Sequence, residues 1–294
     1  MSQTAPAAAV RSSGLAAAEA VVDAYLRMYD RLVRQRSGIF ASELQSALVA
    51  LVHYRSALRG SASRAALVRR VEAIDAATRH VLQRTSVHSS ATDLAGYVWA
   101  ATYGALPLAE PPLPQIEWVF VSGAASGAVS GLTGMTWRAL FLETSLHLLH
   151  YDLRRKAEPE RDRHVEAIIK RADAFVDAAR SATEAGAASV VQTVPPLADL
   201  AHVSGAGEVS ALAAALLEAV PGARPAHLDA TPSARLAQRA AALAAVGKLA
   251  DAEAIVDYLL ACRVDRERQL LHRNADPGLL ETSPWVPLAL LSVI

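Results

Sequence analysis

FLETSLHLLHYDLRR, residues 141–155, sets Glu143, His147, His150 and Arg154 among leucines and aromatics. On a helix each residue advances about 100°, so these four positions fall within roughly 60° of one another and form one stripe. Leu142, Leu146, Leu149 and Leu153 flank the stripe on one side, Phe141, Leu148 and Tyr151 on the other. A helix that is apolar around most of its circumference is buried. Its ionisable groups then need partners inside the fold, because desolvating any one alone costs on the order of several kcal/mol.

The rest of the chain is consistent with a helical protein. Its 294 residues can bury a sizeable core without disulfides, and they are 52% hydrophobic but only 5% aromatic. The apolar excess is mostly alanine, leucine and valine, which form helices or fill close helix contacts. An all-α fold follows, as a multi-helix bundle or a short α-solenoid of helical hairpins. The 29 basic residues equal the 29 acidic ones, so no net field draws the chain to nucleic acid or to an anionic membrane. Cys262 is the only cysteine, which excludes an internal disulfide and a cysteine zinc cluster and suits a reducing compartment, the cytoplasm by default.

Working along the chain, residues 1–12 read as a disordered leader without the apolar core of a signal peptide. Amphipathic helices are expected at about 13–36, 41–59, 63–84 and 91–105, forming an N-terminal helical subdomain over 13–106. "PLAEPPLPQ" (107–115) is the clearest linker, with four prolines. A C-terminal helical subdomain over 107–294 follows it. Val119 to Trp137 is uncharged and of membrane length, but its four glycines, three serines and two threonines make it too polar for a span. Within it, Ser122, Gly123 and Gly127 resemble the "TGxxxGxG" loop of short-chain dehydrogenases. The pattern fails at Val129, and no tyrosine precedes a lysine by four, so the dinucleotide reading is set aside.

"AEPERDRHVEAIIKRADAFVDAARSATEAG" (157–186) reads as one charged helix with its apolar face at Val165, Ile168, Ile169, Phe175 and Val176, closed by Gly186. Residues 187–230 are punctuated by prolines and suggest short helices. "TPSARLAQRAAALAAVGKLADAEAIVDYLLACRV" (231–264) reads as a helical hairpin, with Thr231 as the cap, Pro232 at the first helical position and "VGKLADAE" as the turn. Cys262 falls on an apolar face, where a buried inert thiol is expected.

Two readings of the stripe stand side by side. In one, Glu143 pairs with a histidine or with Arg154 in a charge-balanced network that fixes how the helix sits. In the other, Glu143 and His147 at i and i+4 chelate an ion, with His150 as a third ligand, or serve as an acid–base set. A pocket would then be lined by Trp137, Tyr151, Arg154, Trp99 and Trp118. The network reading needs no cofactor; the enzyme reading calls for a transition metal, a haem or a bare acid–base pair.

The hairpin at 231–264, the basic "RERQLLHR", then "DPGLL" and "PLALL" before an apolar end, together with "MTWRALFLETSLHLLHYD" after Trp137, resemble the immunity protein 49 family of bacterial polymorphic toxin systems. The chain departs from that family's aromatic pair at Gln269 and Leu270. The resemblance implies an all-α protein that acts by binding, with a cognate toxin as partner and no catalytic residues carried over. From the sequence, then, the first function is a noncatalytic helical binding protein, immunity-like, that recognises a protein or a small-molecule ligand through a groove. The alternative is a helical enzyme of bacterial specialised metabolism with its site at Glu143, His147 and His150.

Overall fold

The computed structural model describes Leu140, Glu143, Thr144, Leu148, residues 158–182, 184–220, 228, 231–262, 289 and 293. Among the described residues the fold is all-α, with no strand. Six helices have defined bounds: α1 Glu158–Lys170, α2 Ala172–Arg180, α3 Glu184–Ser204, α4 Gly207–Ala219, α5 Ser233–Ala245 and α6 Leu249–Cys262. Leu140, Glu143, Thr144 and Leu148 are also helical. No helix among the described residues is long and apolar enough to cross a membrane. The expected leader, the N-terminal helices and the 107–115 linker lie outside the described residues.

The helices pack as a row. Helix α6 lies on α5, α5 on α3, α3 on α4, and α4 on α2 and α1. Two of these contacts are hairpins with short connections, α3–α4 and α5–α6, and short connections make antiparallel neighbours. Each helix carries the stripe its place requires. Helix α4 buries Val209, Leu212, Ala213, Leu216 and Leu217 at spacings of three and four, the pattern of a helix with one apolar face. Helix α5 lies between α3 and α6, and it buries Ala237, Ala240, Ala241 and Ala242 beside Leu236 and Leu243. Small side chains on more than one side let neighbouring backbones come close.

The charged segment at 157–186 is not one helix. It breaks at Arg171, whose ψ of −1° departs from helical geometry. The chain stays tied across the break, since the Arg171 N–H donates to the Ile168 carbonyl at 3.1 Å and the Phe175 N–H donates to the Arg171 carbonyl at 3.0 Å. Of the expected apolar face, Ile168 and Phe175 are buried while Val165, Ile169 and Val176 are half-buried. Helix α2 stops at Ser181, whose hydroxyl donates to the carbonyls of Asp177 (3.0 Å) and Ala178 (3.2 Å) and so occupies acceptors the helix end leaves open. Gly186, expected to close a helix, lies inside α3.

Helix α3 also overturns the expectation of short helices after residue 187. It runs for 21 residues with Pro195 and Pro196 inside it. Both prolines lack the N–H that would meet the carbonyls of Val191 and Gln192, and a proline inside a helix costs about 3 kcal/mol. Val190, Val191, Val194, Leu197 and Leu200 are buried in the same helix. At about 1.5–3 kcal/mol for each such side chain, their burial outweighs the two prolines. The buried Thr193 hydroxyl is satisfied within the helix, donating to the Val190 carbonyl at 2.7 Å.

The turns are set by glycine. Gly205 (φ +71°) ends α3, with its N–H on the Ala201 carbonyl at 2.9 Å. Gly247 (φ +81°) ends α5: its N–H meets the Ala244 carbonyl at 3.0 Å, and the Lys248 N–H reaches back to Leu243 at 2.9 Å. This pair of bonds is the Schellman closure of a helix, and it needs a residue that tolerates the left-handed region. At the other end of α5, Pro232 is the N-cap rather than the first helical residue. Its ψ of 140° is extended, while its carbonyl already accepts the N–H groups of Arg235 and Leu236.

Nothing lies within 4 Å of a Cβ built on Gly247, so Gly247→Ala tests backbone strain alone; urea denaturation should show a loss of about 1–2 kcal/mol. Leu216 is fully buried in α4, and Leu216→Ala should lower stability by about 2–5 kcal/mol in the same assay.

Candidate functional site

Leu140, Thr144 and Leu148, at i, i+4 and i+8, are all buried, which gives the helix of the polar stripe an inward face. The Thr144 hydroxyl is used up locally, donating to the Leu140 carbonyl at 2.8 Å. Glu143 lies at the rim of that face with its side chain 20% exposed. Its partner is Arg171, whose Nη1 donates to Oε1 at 2.6 Å. The guanidinium is delivered from the break between α1 and α2, and it is about half exposed. A bent chain at residue 171 thus places a cation where a straight helix would have carried on past.

Burial pushes the Glu143 carboxyl above the usual glutamate range; the charge and hydrogen bond of Arg171 pull it back only in part. The pair is therefore a carboxyl that holds its proton unusually well, met by a cation from another helix. Such an arrangement can lock two helices together, and it can also hold a proton for transfer. Arg171 was not among the residues singled out from the sequence. It lies 28 positions from Glu143 in a segment rich in charge, and no local spacing links the two.

The other candidates of the stripe and its pocket, His147, His150, Arg154, Tyr151, Trp137, Trp118 and Trp99, lie outside the described residues. Among the described residues no group of three His, Cys, Asp or Glu side chains is placed to share a metal ion. Cys262 is exposed rather than buried. It is the last residue of α6, and it lies about 90° around the helix from the inward line of Ala252, Val256 and Leu259.

A second polar cluster gathers where α4 ends. Arg239 of α5 donates through Nη1 to the carbonyl of Val220, the residue that caps α4, at 3.0 Å. A cation is favourable there, because carbonyls at a helix C-terminus lack donors and carry partial negative charge. Burial lowers the Arg239 pKa, and the charge of Asp251 on α6 opposes that shift. Beside it, Lys248 Nζ meets Glu218 Oε1 at 2.8 Å, and that hydrogen bond and charge hold the Glu218 carboxyl below its usual range. The contacts tie the α5–α6 hairpin to the end of α4. An arginine in the alanine run "RLAQRAAALAA" is the signal from which Arg239 could have been found.

Comparison of the chain with protein-family models, with curated proteins and with solved structures gave no match in any of the three.

Because the fold raises the Glu143 pKa above its unfolded value, this residue adds stability below the ordinary glutamate pKa and loses it as pH rises through the raised one. Denaturant midpoints measured from mildly acidic to neutral pH should show the difference between the native protein and Glu143→Gln shrinking as pH rises; a constant difference would contradict the raised pKa. Arg171→Gln should cost about 1 kcal/mol at neutral pH, discounted for the exposure of the guanidinium, and less in acid, where Glu143 is protonated.

Proposed function

We propose that the protein is a noncatalytic helical binding protein, immunity-like, which recognises a partner through the surface of its helix row. The observation that supports this reading is the stacking order α6, α5, α3, α4. In helical arrays each hairpin touches mainly its neighbours, and the array presents an extended face rather than a closed bundle core. The resemblance to the immunity protein 49 family, carried by the 231–264 hairpin and the apolar end of the chain, names the class of partner: a toxin protein of a bacterial competitor system. Two features of the row suit this role. It is joined by hydrophobic burial along α3 and α4, and by the polar contacts of Arg239 and Lys248 at one end. A rigid surface loses little freedom on binding.

One observation favours the second reading, a helical enzyme acting at Glu143 with His147 and His150. Glu143 has its pKa raised by burial, as general acids in clefts commonly do. Its Oε1 is taken by Arg171, and this bond is why the structural role is preferred for it.

Protein purified without chelator separates the two. The binding reading expects a colourless protein free of stoichiometric metal, with His147→Ala affecting only stability. Metal at one equivalent, or a haem absorption band, that disappears in His147→Ala would overturn it in favour of the enzyme. The binding reading further expects that co-expression of this chain restores growth to bacteria producing its cognate toxin, and that the two co-elute as a stoichiometric complex. Screening the toxins encoded beside this gene without finding rescue or a complex would count against the immunity role.

A further inference from the structure

We draw no further inference here: the strongest candidate, the fully buried and unpartnered hydroxyl of Ser233 at the N-terminus of α5, adjoins no accessible space, so nothing in the structure shows a ligand that could reach it.

Discussion

The described architecture rests on the burial of α3 from two directions. Helix α4 covers one side and α5 another, and the valines and leucines between them supply the apolar contact that keeps the helix continuous across two prolines. Remove either neighbour and the balance changes, because local hydrogen bonding is weakest where Pro195 and Pro196 lie. The other helices depend on this arrangement in turn. Helix α4 gains the second face on which α1 and α2 rest, and α5 gains the platform that holds α6.

Helix class was legible in the sequence because alanine, leucine and valine recur at three and four residues and the turns carry glycine. The 231–264 hairpin was legible almost to the residue, since Gly247 is the one place where that chain can reverse without strain. The misreadings share a cause. Gly186, Pro195 and Pro196 are breakers by local preference, yet tertiary burial overrules local preference when enough apolar area is gained. The break at Arg171 was missed for the opposite reason: nothing in "IIKRADAF" marks a bend. At Pro232 the extended backbone of the proline itself shifted the helix start by one position, a distinction that residue type alone does not reveal.

The candidate site was legible only in part. That Glu143 lies against the interior follows from the leucines around it, and the structure agrees, with Leu140, Thr144 and Leu148 buried on the adjoining face. The identity of its partner did not follow. Ion pairs between helices are set by how helices cross, and the crossing depends on a bend 28 residues away. Desolvation then does to the carboxyl what Arg171 cannot wholly undo, which leaves the pair sensitive to protons whatever its role. Arg239 was overlooked because its acceptor is a backbone carbonyl, and a carbonyl is invisible in a one-letter sequence.

The two prolines of α3 also bear on the order in which the chain acquires structure. A segment lacking consecutive amide donors at its centre propagates helix poorly on its own, because each added residue there forms no new bond. The α5–α6 hairpin has no such interruption and is closed by a glycine turn, so its contacts are near in sequence and quick to form. Nucleation accordingly belongs to the hairpin, and α3 becomes helical as it docks on α5 and α4. A chain emerging from the ribosome would then hold its central helix in waiting until the segment that follows it has been made.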